Sequence, residues 1–162
     1  MTHLVKSGKW KHVEEECTAY STHKTLSIVF CASALAFLVP VLLRQLGAID
    51  ELPELPGELF DSNRIVMSKM ARPLGIPDAI LGLGSYSVTM VLLVSATPSR
   101  PVVRGILTAK VLLDGTLAAR KARGQIKQFG RVCTWCMGTA LATAGMVHFA
   151  RKARVSLKRQ RG

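Results

Sequence analysis

Acids are scarce in this sequence: ten Asp and Glu stand against 22 Lys and Arg, leaving a net charge of +12 over 162 residues. Aromatics are scarce too, at 6%, and there are only four cysteines, Cys17, Cys31, Cys133 and Cys136. Each shortage excludes a class. With only one close pair among the four cysteines, the chain is not a small secreted scaffold held by disulfides. A strong basic excess is one footprint of a nucleic-acid binder, yet there is no stripe of bases interleaved with aromatics, no zinc-finger spacing and no RNA-binding signature. No nucleic-acid partner is expected. A short basic-then-apolar opening is also missing: Met1 to Lys24 is polar and includes Glu14, Glu15 and Glu16. On that ground no cleaved leader is expected.

Apolar sequence, by contrast, is abundant. Hydrophobic residues make up 49% of the chain. A soluble domain rarely combines that content with so much unbalanced charge, whereas a membrane protein gathers its bases in loops and tails. "TLSIVFCASALAFLVPVLLRQLGAI", 25–49, and "IPDAILGLGSYSVTMVLLVSA", 76–96, are each long enough to cross a bilayer, which takes about 20 residues. Pro40 in the first is tolerated in a membrane helix. Gly82, Gly84 and Ser85 in the second are small residues that let helices approach closely. A third run, 101–119, contains Lys110 and Asp114. Four apart, they share a helix face and can pair, either as a neutral pair facing the bundle interior or as a proton or substrate site. The fourth run, 132–150, opens with Cys133 and Cys136. The expected fold class is an all-α membrane protein, a four-transmembrane-helix bundle over 25–150. A polar cytoplasmic tail at 1–24 and a basic cytoplasmic tail at 151–162 flank it.

The segment 50–75 enters through the stiff "LPELPG" and then places Leu59, Phe60, Val66, Met67 and Met70 at roughly helical spacing. That predicts a short amphipathic helix in the first outer loop. The segment carries five acids and three bases, whereas 97–104 holds Arg100 and Arg104 with no acid, and the tail from 151 has six bases and no acid. By the positive-inside rule the tail, the short turn and both termini face the cytoplasm, and the 50–75 loop faces away. The segment 120–131 conflicts with this, with five bases and no acid on the outer side, unless 101–119 is not a span.

"RVCTWC", 131–136, puts two cysteines three apart at the start of the fourth run. A helix N-terminus favours the thiolate, and the spacing sets both sulfurs on one side of the first turn, where a reversible disulfide can form. Two small packed residues would give the same letters. No metal is expected: zinc needs four ligands, and the other candidate on this helix, His148, lies about three turns away. Cys31 reads as a packing residue in an apolar run, and Cys17 as a thiol kept reduced in the cytoplasmic tail.

The bridging "SKMARPLGIP", the "GIPDAILGLGSY" that opens the second run and the "CTWC" that opens the last resemble the vitamin K epoxide reductase family over roughly residues 25–150. The resemblance implies a four-helix membrane bundle holding a quinone, of menaquinone, ubiquinone or phylloquinone type, beside the CxxC pair. It implies electron exchange between that quinone and a thioredoxin-like thiol partner or a small thiol. Cys133 and Cys136 would be the catalytic pair, with Cys136 facing the quinone and Cys133 exchanging with it, and Ser68 and Asp78 would lie near the quinone oxygens. Trp135 joins them as a quinone-binding candidate because it can stack on a flat ring, although tryptophan at a membrane interface needs no ligand. Members carry two further cysteines in the first outer loop as an electron relay. Glu54 and Ser62 stand at those positions here, and Ala140 stands where some members have tyrosine. Three readings stay open: a quinone-linked thiol–disulfide oxidoreductase, a non-catalytic quinone- or partner-binding subunit on the same scaffold, and a small transporter or channel using Lys110 and Asp114. The expected setting is a bacterial inner membrane rather than the endoplasmic reticulum, with membrane lipid against the basic tail.

Overall fold

From residue 25 to Gln45 the chain contains no glycine, and a single helix carries it. In the computed structural model, which describes residues 2–159 and the side chains of 18–156 apart from Leu74, helix α1 spans Thr2–Gln45 and passes through Pro40. The stretch expected as a polar tail is therefore helical and continuous with the first apolar run. The side chains of His3, Trp10, His12 and Cys17 lie outside those described. Helix α1 stops before residue 49 because Gly47 takes φ +75°, and the amides of Gly47 and Ala48 turn back to the carbonyls of Arg44 (3.1 Å) and Leu43 (2.9 Å). Such paired bonds close a helix around a left-handed glycine.

Four more helices follow: α2 (Ser62–Val66), α3 (Asp78–Ser95), α4 (Pro101–Phe129) and α5 (Thr134–Arg159). Among the described residues there is no strand, only an isolated parallel bridge between Phe60 and Val132. The architecture is all-helical. Helix α1 packs on α3 and α5, and α4 packs on the same two, so the four long helices close a ring. Gln45 at the end of α1 meets Asp78 at the start of α3 (2.7 Å), and Lys24 reaches back to the carbonyls of Val94 and Ala96 (3.0 and 2.8 Å), so α1 and α3 run antiparallel.

Among the described residues two segments, Thr18–Gln45 and Asp78–Ser95, are long and apolar enough to cross a membrane; at 1.5 Å per residue they measure about 42 and 27 Å. Val29, Val88, Val91, Val94, Ile106 and Leu141 are each more than half exposed on the outside of the ring. An apolar belt of that extent suits lipid better than water.

The segment 120–131 is not a loop, as expected, but chiefly the last turns of α4, which ends at Gly130 with φ +62°. Lys127 sits in the last turn, where a cation complements the negative end of the helix dipole. The amphipathic helix expected across the outer loop is also different. Helix α2 is one short stretch capped by Asp61, and the chain then breaks into 3₁₀ turns at Lys69–Ala71 and Pro73–Gly75. Ser68 is extended (φ −71°, ψ 161°), and Pro73 has no amide to continue a ladder. Leu59 and Phe60 fall before α2 altogether.

Lys110 and Asp114 form a closed knot between α4 and α3. The ammonium lies 2.5 Å from Asp114, 2.8 Å from Ser85 Oγ and 3.0 Å from Thr89 Oγ1. Asp114 also accepts from Ser85 (2.9 Å) and Thr89 (2.7 Å), and its side chain is 3% exposed. Every strong donor and acceptor in the knot has a partner, as a buried charge pair requires. On the other side of the bundle α5 approaches α1 through glycines. A Cβ on Gly145 would lie 2.6 Å from the Phe30 ring, which is itself stacked on Phe149 at 5.6 Å. Of the glycines singled out on α3, Gly82 makes such an approach, to Leu38 at 2.9 Å, and Gly84 does not.

Candidate active site

Cys133 stands at the cap of α5. Its carbonyl accepts from Met137 N (2.9 Å) and its sulfur accepts from Cys136 N (3.2 Å). A sulfur there meets both an otherwise unpaired helical amide and the positive end of the dipole, and both stabilise a thiolate. Gln125, buried on α4, backs the pair: its Oε1 accepts from Cys133 N (3.2 Å), and it lines the same cleft as Cys136. Both cysteines are free thiols, tied by the bond from Cys136 N to the Cys133 sulfur.

The outer loop roofs Cys133, which is fully buried. Three contacts stitch the loop to the start of α5: Val132 N to Leu59 O (2.9 Å), Asp61 N to Val132 O (3.2 Å) and Arg131 to Asp61 (3.3 Å). Ser62 is buried in the same place, where its Oγ accepts from Thr134 N (3.0 Å), the amide next to Cys133. The Glu54 carboxylate, on the exposed side of the loop, accepts from Ser62 N. Contacts thus follow one another from Glu54 to Ser62, from Ser62 to the amide after Cys133, and from the Cys133 sulfur to Cys136 N.

Cys136, the last in that series, borders a largely apolar cleft of about 580 Å³ between the long helices; Cys133 does not. Leu38, Val41, Leu81 and Leu117 supply apolar wall, and Asp78, Lys121 and Gln125 supply polar groups near Cys136. Both Asp78 oxygens are engaged, one by Gln45 Nε2 (2.7 Å) and one by Lys121 Nζ (2.8 Å). Gln45 also donates to the carbonyls of Val66 and Ala71 and accepts from Ala79 N, each at 3.2 Å, so one buried amide ties α1, the outer loop and α3 together.

The structure therefore brings Cys136 and Asp78 to one cleft and sets Cys133 just behind it. Ser68 and Trp135 do not line that cleft. Ser68 Oγ donates to Ile65 O (2.7 Å), and Trp135 Nε1 donates to Pro53 O (2.9 Å) with its ring edge-on to Phe37. Ala140 does line it. Cys31 belongs to a separate core cluster and donates to Tyr86 O (3.5 Å). Gln45, Lys121 and Gln125 join the site without being among the residues expected from the sequence. Gln45 could have been found as the lone uncharged amide at the end of an apolar run. The other two lie in the basic stretch 120–131, whose apolar pattern gives no sign of the helix α4 that carries them.

An all-helical membrane architecture with a free CxxC pair at a helix N-terminus and an apolar cleft under one of its sulfurs defines a class of thiol-bearing membrane proteins. Residues 25–150 match the Vitamin K epoxide reductase family, and the chain belongs to that family. No curated protein and no solved structure matches the chain. Members of the family are membrane proteins and in general quinone-linked disulfide oxidoreductases.

Proposed function

We propose that the chain exchanges electrons between a thiol partner and a membrane quinone, with Cys136 acting on the quinone in the cleft and Cys133 acting on Cys136. The observation that carries this reading is the division of the pair: one sulfur borders the cleft, and the other is held behind it by the helix cap and Gln125. In the reducing direction the Cys136 sulfur bonds to a ring carbon and its proton goes to a ring oxygen. The Cys133 sulfur then attacks Cys136, the S–S bond forms, and the carbon–sulfur bond breaks with its electron pair returning to the ring. The Cys133 proton completes the quinol. Two electrons and two protons move, and the reverse sequence oxidises a quinol.

Quinone oxygens and an ionised carboxylate are both acceptors. The part we assign to Asp78 is therefore to hold Lys121, whose ammonium retains donors for a ring oxygen. Gln125 holds Cys133 in place through its amide, and Ser68 and Trp135 contribute through the roof that covers Cys133. Electrons enter at Cys133, by thiol exchange with a thioredoxin-like protein or a small thiol on the outer side of a bacterial inner membrane, past Glu54 and Ser62, which cover it. Since neither of these is a cysteine, a thiol reaches buried Cys133 only when the loop lifts. The same substitutions favour a second reading, a quinone- or partner-binding subunit that no longer turns over.

The test uses the full chain in lipid nanodiscs with dithiothreitol as donor and a short-chain, fully ring-substituted quinone as acceptor. The expected result is slow quinone reduction by the parent, none by C133S, and a rate at least about tenfold higher in E54C/S62C, which rebuilds a thiol path to the surface. An active parent that E54C/S62C does not accelerate would overturn this entry route. No reduction by either would leave the binding-subunit reading.

A further inference from the structure

At the end of the bundle away from Cys136, a second cavity of about 260 Å³ lies where α1, α3, α4 and α5 meet. Nothing in the proposed reaction uses it. Leu93, Pro101, Leu107, Ala150 and Ala153 give it apolar walls, while Lys24, Arg104 and Arg154 line it without any acid. Lys24 is already occupied with the carbonyls of Val94 and Ala96, and the Tyr20 hydroxyl, on the same wall, donates to Ala96 O (3.1 Å). The two arginines are not so occupied. Among the described residues neither guanidinium has a hydrogen-bond acceptor or an ion-pair partner. Arg104 is half-buried in the first turn of α4, the positive end of that helix.

Two guanidiniums without an acceptor among the described residues, Arg104 half-buried and Arg154 exposed at the rim of a small apolar hollow, describe an amphiphile with an anionic head. Guanidinium forks match pairs of phosphate oxygens, and an acyl chain fills space that a free phosphate would leave empty. A neutral lipid would fill the hollow and leave both arginines unpaired. We infer that this cavity is a binding site for an anionic phospholipid of the adjoining leaflet, its phosphate held across Arg104 and Arg154 and the start of a chain against Leu93 and Leu107. The site is independent of the thiol chemistry at the other end.

The experiment follows the thermal unfolding midpoint of the full chain in phosphatidylcholine nanodiscs as phosphatidylglycerol is added. Phosphatidylglycerol is expected to raise the midpoint of the parent and of R123Q/K127Q, which removes the same charge at the far end of α4. In R104Q/R154Q the phosphatidylglycerol needed for the same rise should increase about tenfold or more, the scale of losing charge-assisted hydrogen bonds. Soluble glycerol phosphate should not substitute for the lipid; if it does, the site takes free phosphate and the lipid assignment falls. An equal response in R104Q/R154Q, an equal loss in R123Q/K127Q, or no preference for phosphatidylglycerol in the parent would each overturn the site. Should R104Q/R154Q unfold in phosphatidylcholine alone, R104K/R154K replaces it. That variant keeps the charge and loses the fork, so a weakened response is expected and an undiminished one overturns the assignment.

Discussion

Replacing Cys136 with serine is expected to lower quinone reduction by on the order of a thousandfold or more, the scale of removing a covalent nucleophile. Replacing Cys133 should be as costly to turnover and leave a different trace. Cys136 is the sulfur that borders the cleft. In C133S it can still bond to the ring, but no second sulfur is present to release it. In C136S the remaining sulfur is fully buried behind the cap of α5 and the outer loop. Intact-mass spectrometry after exposure to a fully ring-substituted quinone should show one added quinone on C133S, on the peptide containing Cys136, and none on C136S. The opposite pattern would exchange the roles of the two cysteines. Equal labelling of both would mean that the cleft does not decide which sulfur meets the substrate.

The second large effect lies in the fold. Lys110 and Asp114 satisfy one another together with Ser85 and Thr89, so removing either partner strands a buried charge. K110M and D114L are each expected to cost about 3–5 kcal/mol, and the double variant K110M/D114L to recover most of that loss, because no unpaired charge remains. Thermal unfolding of the four proteins of this cycle measures the coupling. Additive losses would mean that the pair does not act as a structural unit, and would return weight to a transport or proton site.

The residues that declared themselves in the sequence are those whose chemistry is local. Two cysteines three apart at the start of an apolar run are visible without knowledge of any other helix, and so is an aspartate at the first position of another. The helical class was legible because long apolar stretches admit few alternatives. The length of α4 was not legible. Its apolar pattern fades after residue 119, while "ARKARGQIKQF" is rich in Ala, Arg, Lys and Gln, which sustain a helix by propensity after its buried face has ended. Gln125 and Lys121 lie in that stretch, so the residues that orient the cysteines and pair with Asp78 could be placed only once the helix was seen to continue. The outer loop failed in the opposite sense. Apolar spacing from Leu59 to Met70 suggested a helix, but the extended backbone at Ser68 and Pro73 divide the segment into a turn of helix and two 3₁₀ turns. Ser68, expected near the quinone oxygens, donates its hydroxyl to Ile65 O and does not line the cleft.

The central claim is that Cys133 and Cys136 open and close against a quinone. The most direct test adds a soluble quinone to pre-reduced protein in membranes, quenches samples from before and after in denaturing detergent with a bulky maleimide so that buried Cys133 is also reached, and maps the peptide that contains both cysteines. Both thiols are expected to be trapped before quinone and both to be lost to a disulfide after it, with C136S unchanged by the addition. If both thiols remain open at every quinone concentration, the pair is not a working redox centre and the cleft binds without reacting.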